Sequence, residues 1–280
     1  RPLPRAGGPG GDDPPRRGPG QRPGLPFSSL PFPFRACLAR GNGLKADWPS
    51  GSLRGLARHG KRTEAFLDHV MEGLCRPTTI FFDFGGVLAE EGFRAALLAI
   101  ARETGRDPDV LEPLAYEMAW STGFVVGGCD EAGFWRAFRE ATGITAGDAW
   151  LTETVLSHFT LRPRMFALVD AARAAGIRTA ILSDQTEWLG RLDARHGIFS
   201  HFDAVFNSYH HGVSKRDAAF FALALSAMGA KAEASLFIDD APRNVELAAS
   251  LGFHTILYRD EADFFHDFAD VCPTLGAPRV

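Results

Sequence analysis

Cysteine is scarce in this chain. There are four among 280 residues, and Cys37, Cys75, Cys129 and Cys272 share no short spacing. That excludes a thiolate metal site and reads as reduced thiols of a cytoplasmic protein. Long apolar runs are also absent. No stretch approaches the ~20 residues of a membrane span, and no secretory pattern opens the sequence. Neither sign of charge dominates: a net charge of −4 supplies no bulk field for nucleic acid or a membrane surface. No internal repeat is apparent. What is plentiful is apolar content, 45% of residues, enough for one large packed domain or two small ones.

The opening of the chain has little of that content. Residues 1–75 are crowded with proline, glycine and arginine, as in Pro14-Pro15-Arg16-Arg17-Gly18-Pro19-Gly20. Without a periodic apolar stripe there is nothing to bury, so this segment is expected to be a disordered extension. An organelle transit peptide would also be rich in arginine and poor in acids, but the low serine content and the Pro/Gly run argue against one.

From residue 78 the pattern changes. Apolar runs at 78–83, 178–183, 204–207, 235–239 and 254–258 read as strands. Helical blocks at 163–175, 186–196, 217–228 and 244–251 each end at a glycine suited to a left-handed cap: Gly176, Gly197, Gly229 and Gly252. Such alternation predicts an α/β fold, a parallel sheet with helices on both faces. The rhythm breaks between about 93 and 161, where helical runs at 93–104 and 130–142 have no strand between them. An all-α cap inserted after the first strand is therefore expected over 93–161, above a core formed by 76–92 and 162–280. It would lie over the carboxyl edge of the sheet.

Polar groups recur where the apolar runs end. Asp83 closes Thr78-Thr79-Ile80-Phe81-Phe82 and opens into Phe84-Gly85-Gly86. Ser183, Lys215 and the pair Asp239-Asp240 follow in the later segments. Open α/β sheets bind ligands at the carboxyl ends of their strands. A carboxylate nucleophile, a hydroxyl, an ammonium and a carboxylate pair suited to Mg²⁺ together point to phosphoryl transfer.

Four segments carry a family resemblance. Phe82-Asp83-Phe84-Gly85-Gly86-Val87-Leu88, Ile181-Leu182-Ser183-Asp184, Gly212-Val213-Ser214-Lys215-Arg216-Asp217 and Phe237-Ile238-Asp239-Asp240-Ala241-Pro242-Arg243-Asn244 resemble, in order, the four signatures of the haloacid dehalogenase-like (HAD) hydrolase superfamily. The resemblance implies a Rossmann-like parallel sheet with a helical cap. It also implies Mg²⁺-dependent hydrolysis of a small phosphomonoester through an aspartyl-phosphate. Asp83 would be the nucleophile, and Ser183, Asp184 and Lys215 would bind phosphate. The metal would be held by Asp83, the Gly85 carbonyl, Asp239 and Asp240, with Asp240 a direct ligand, Asp239 direct or through water, and Asn244 either orienting the group or capping the following helix. The implied substrate is a small phosphorylated metabolite.

Two positions depart from the pattern. Asp184 replaces a common asparagine and brings a negative charge that must face away or pair with a cation. Gly85 replaces a second aspartate, the usual general acid, and in this it resembles bacterial sugar-1-phosphate phosphatases and, more loosely, the phosphatase-like domain of epoxide hydrolases. Glu90 and Glu91 lie close enough to reach the same space, although a solvated pair of loop acids is the favoured reading. His210 and His211 read as solvated loop residues, and Arg216 stands where the family often has proline. Trp120, Phe124, Phe134 and Trp135 are expected mostly to pack the core. Two alternatives remain: a metal-free 2-haloacid dehalogenase, against which the Asp239-Asp240 pair counts, and a catalytically idle phosphate- or partner-binding module, suggested by Gly85.

Overall fold

The computed structural model describes residues 77–272 and 275. The extension expected over 1–75, with Cys37 and Cys75, lies outside the described residues. Five strands form one parallel sheet: β1 (Thr79–Phe82), β2 (Arg178–Ser183), β3 (Ala204–Asn207), β4 (Ser235–Asp239) and β5 (His254–Leu257). Their order across the sheet is β3-β2-β1-β4-β5. The chain therefore reverses its direction of travel at β1, and in open parallel sheets such a switch point is where the crevice forms.

Registry follows from alternation along the strands. Ile80, Phe82, Ile181 and Ile238 join one apolar cluster, while Phe81, Ala180, Leu182 and Phe237 join another. Both faces of the central strands are thus buried, which requires helices on both sides.

Ten helices accompany the strands among the described residues. Four lie in the insertion that follows β1: α1 (Gly92–Thr104), α2 (Pro108–Ser121), α3 (Glu131–Thr142) and α4 (Asp148–Ser157). The others are α5 (Pro163–Ala174), α6 (Trp188–His196), α7 (Ser208–His211), α8 (Ala218–Met228), α9 (Pro242–Ser250) and α10 (Glu261–Val271). Asp130 caps α3 by accepting the Gly133 N–H at 2.8 Å. Gly143, Gly197 and Gly229 close α3, α6 and α8 in the left-handed conformation, where a side chain would be strained.

Between α1–α4 and the sheet lies an aromatic core. Phe124 stacks on Phe134 with centroids 4.8 Å apart, and Trp135 stacks on Trp188 of α6 at 5.5 Å. All four are buried, and each such side chain contributes about 1.5–3 kcal/mol through burial alone. Polar tips in this core are satisfied. The Trp135 indole donates to Thr152 at 2.8 Å, the Thr152 hydroxyl donates to Glu131, and Glu131 accepts from Trp188 at 2.8 Å. This network fixes the helical insertion to the sheet side of the molecule. No helix of the described residues is long and apolar enough to cross a membrane.

Candidate active site

Asp83 follows β1 directly, and its backbone N–H is still paired with Ile238 at 2.9 Å. Strand pairing therefore holds its position before any side chain acts. One carboxylate oxygen accepts from the Phe84 N–H at 2.7 Å and the Ser183 hydroxyl at 2.5 Å. The other lies 2.8 Å from the Lys215 ammonium. Burial pushes the Asp83 carboxyl up and Lys215 opposes it, while Asp239 and Asp240 push it further up. Donors converge on both oxygens, which favours the ionised form.

Lys215 is brought in by the loop between α7 and α8. Its backbone N–H donates to Asp184 at 2.9 Å, and its ammonium lies 2.6 Å from Asp239. Burial pulls the Lys215 ammonium down, but Asp239, Asp83 and Asp184 outweigh it and hold it well above the ordinary lysine range. The extra charge of Asp184 is thus felt by a nearby cation without an ion pair to it, and its carboxylate anchors the backbone of the loop that carries that cation. Burial leaves Asp184 itself raised.

Asp239 is fully buried and saturated. It accepts from the Ala241 N–H at 2.8 Å and from the Asn244 amide at 3.1 and 3.2 Å, besides Lys215. Asp240 differs: it is exposed and forms no ion pair among the described residues. Oxygens of Asp83, Asp239 and Asp240 lie within 4.8 Å of one another. Hard oxygen donors at this spacing fit Mg²⁺. Although the residue is open to solvent, partial desolvation of its carboxyl at the cavity wall, then the neighbouring Asp239, raises Asp240, the tension a divalent cation would relieve. Gly86 lets this carboxylate approach. Its φ is +80°, and a Cβ there would lie 2.1 Å from Asp240 Oδ2.

The loop after Asp83 is held by Arg162, whose guanidinium donates to the carbonyls of Gly86 at 2.5 Å and Ala89 at 3.1 Å. Arg162 also pairs with Glu90 at 2.9 Å, so Glu90 is exposed and engaged away from the cavity. Glu91 contradicts the solvated-pair expectation. It is half-buried, and its Oε1 accepts from the Tyr116 hydroxyl at 2.9 Å. Burial pushes its carboxyl up, with Tyr116 opposing. A tyrosine twenty-five residues downstream in an inserted helix leaves no signal in a lone sequence.

A cavity of about 310 Å³ opens over Asp83, lined among others by Gly85, Glu91, Tyr116, Trp120 and Gln185. Phe124, Phe134 and Trp135 pack the core as expected. Trp120 is half-buried against the same core and also faces this cavity, with the Arg216 guanidinium 3.5 Å over its ring. His210 and His211 are exposed in α7.

The family model of the haloacid dehalogenase-like hydrolases matches residues 77–252. The chain belongs to the HAD-like hydrolases. A curated relative of this HAD-like chain is mouse acyl-CoA dehydrogenase family member 10, 33% identical over 99 residues, or 34% of this chain. The chain spans only 9% of that relative's length. Among solved structures, a HAD family enzyme from Bacteroides thetaiotaomicron superposes with a TM-score of 0.59 at 18% identity, covering 69% of this chain and 98% of that one. That enzyme has also been solved in complex with magnesium and inorganic phosphate. The L-2-haloacid dehalogenase of Xanthobacter autotrophicus, with chloropropionic acid covalently bound, superposes at 0.51 with 19% identity, covering 69% and 82%. At these identities the likeness speaks to the fold of the HAD-like chain alone.

Proposed function

We propose that this HAD-like hydrolase is a phosphatase of small phosphomonoesters, sugar phosphates among them, that works with Mg²⁺. The observation that carries this reading is the shared use of Lys215. One ammonium lies 2.8 Å from Asp83 and 2.6 Å from Asp239, so nucleophile and acidic cluster share a single cation, and the negative charge left over on the three carboxylates is what Mg²⁺ would neutralise.

Asp83, Asp240 and the Gly85 carbonyl would hold the cation, with Asp239 fixing Lys215 and receiving Asn244. When bound, Mg²⁺ supplies charge neutralisation between the carboxylates and the phosphoryl oxygens. Asp83 attacks phosphorus in line and forms an aspartyl-phosphate. Ser183 and Lys215, which already donate to Asp83, are placed to donate to the phosphoryl oxygens. Asp184 keeps Lys215 in place by accepting its backbone N–H. The helical insertion over 93–161 acts as a cap that excludes water and selects the leaving group, with Tyr116 and Trp120 facing it.

The dehalogenase reading shares Asp83 but gives no use to Asp240, a carboxylate at the cavity wall without an ion-pair partner among the described residues. Phosphate and chloride release should be screened against phosphoesters and 2-haloacids, with and without Mg²⁺. Phosphate release that EDTA stops reversibly supports the proposal. Chloride release indifferent to EDTA would replace it with the dehalogenase.

A further inference from the structure

A phosphatase of this kind must protonate the oxygen that leaves Asp83-bound phosphorus and must later deprotonate water. At position 85 there is no side chain to do so. The groups around the cavity are otherwise committed: Asp83 attacks, Asp239 and Lys215 bind each other, Asp184 holds the Lys215 loop, and Asp240 faces the cation. Glu91 is the remaining carboxyl in the wall. It occupies the N-cap of α1, where the Arg94 backbone N–H comes near enough to lower its carboxyl although no full capping bond forms; its well-formed side-chain hydrogen bond is the one from Tyr116. Tyr116 holds Oε1, and this aims Oε2 at Gly85. A Cβ built on Gly85 would lie 2.9 Å from Glu91 Oε2 and 3.1 Å from the Gln185 amide. A carboxyl from position 85 and the carboxyl of Glu91 therefore compete for one volume.

We propose that Glu91, oriented by Tyr116, is the general acid–base residue of this site, replacing the carboxyl that Gly85 lacks. The inference rests on the phosphatase reading. In the first half-reaction, the bond from Asp83 to phosphorus forms as the bond to the leaving oxygen breaks. The electron pair stays on that oxygen, which takes the Glu91 proton. In the second, Glu91 as carboxylate takes a proton from water while the water oxygen attacks phosphorus. The bond from phosphorus to Asp83 then breaks, releasing inorganic phosphate and restoring both carboxyl groups. Tyr116 is a positioning residue.

The test uses the full chain with Mg²⁺, ethyl phosphate, whose leaving group needs a proton, and para-nitrophenyl phosphate, whose leaving group does not. Glu91→Gln should slow ethyl phosphate hydrolysis by about 10²–10⁴-fold. It should slow the burst of nitrophenol release by under about 10-fold and accumulate phosphoenzyme, seen as added mass on the intact chain, because the water step also needs Glu91. A nitrophenol burst slowed as much as ethyl phosphate hydrolysis, or no loss on either ester, overturns the role of Glu91 and leaves the phosphatase reading standing. Absence of phosphate release by the wild type from either ester removes the phosphatase reading, and the inference with it. A reciprocal pair decides if Glu91→Gln does not fold. Gly85 has no positive φ, so its backbone accepts aspartate, and Gly85→Asp combined with Glu91→Ala should recover ethyl phosphate turnover at least about 10-fold over Glu91→Ala alone. No recovery overturns the exchange.

Discussion

Replacing Lys215 by methionine should be among the most costly single changes in the core. Methionine keeps the aliphatic stem and similar volume, so little packing is lost. What goes is the ammonium lying 2.8 Å from Asp83 and 2.6 Å from Asp239. The side chains are 1% exposed for Lys215, 0% for Asp239 and 11% for Asp83, so water does not screen the stranded carboxylates. Breaking a buried pair by removing one partner typically costs about 3–5 kcal/mol, a large part of the ~5–15 kcal/mol that holds a domain folded. Urea unfolding at pH 7 without metal reads this directly. The sign with pH follows from Asp83. Burial already raises its carboxyl and Lys215 opposes that rise. Without Lys215, the folded state binds a proton at Asp83 more tightly than the unfolded chain does. The deficit should therefore shrink as pH falls toward the ordinary aspartate value near ~4, and Mg²⁺ at pH 7 should recover part of it. A loss under about 1 kcal/mol, against the ~3–5 kcal/mol expected of a buried pair, or one that ignores both pH and Mg²⁺, would refute the shared-ammonium account.

Other expectations probe the loop and the cap. Gly86→Ala places a Cβ 2.1 Å from Asp240 Oδ2 at a φ of +80°. It should weaken Mg²⁺ binding at least about 10-fold, or ~1.4 kcal/mol, by calorimetry; unchanged affinity would exclude Asp240 as a ligand. Glu131→Ala strands the buried Trp188 indole N–H and should lower stability by about 1–3 kcal/mol in thermal and urea unfolding. A neutral result would mean that the Trp135–Thr152–Glu131–Trp188 network does not tie the insertion down.

Much of this architecture is legible in the sequence because the central strands end at, or one residue before, a polar group that the sheet has to place. Ser183 and Asp239 end their strands and Asp83 follows its own directly, and parallel pairing brings these adjacent ends together. Glycines after apolar helices mark their stops for an equally local reason, as Gly197 and Gly229 show. Other features depend on contacts between distant segments. α2 contains Pro113, which locally argues against a helix, and packing overrides it. α7 spans only Ser208–His211, too short for a periodic signal, and its cap comes from Asn207. Helix starts were displaced too: α9 begins at Pro242, where proline is preorganised for the first turn, rather than at Asn244. Glu90 and Glu91 are chemically alike and adjacent. Only Arg162 on one side and Tyr116 on the other send them opposite ways.

The central claim is that Asp83 becomes phosphorylated during turnover. The direct measurement is acid quenching of the full chain during hydrolysis of para-nitrophenyl phosphate with Mg²⁺, followed by borohydride reduction and peptide mapping. The account predicts reduction of the Asp83 acyl-phosphate at that residue alone, lost in Asp83→Asn while circular dichroism stays native. Modification at another residue, or Asp83→Asn turning over at the wild-type rate, would contradict it.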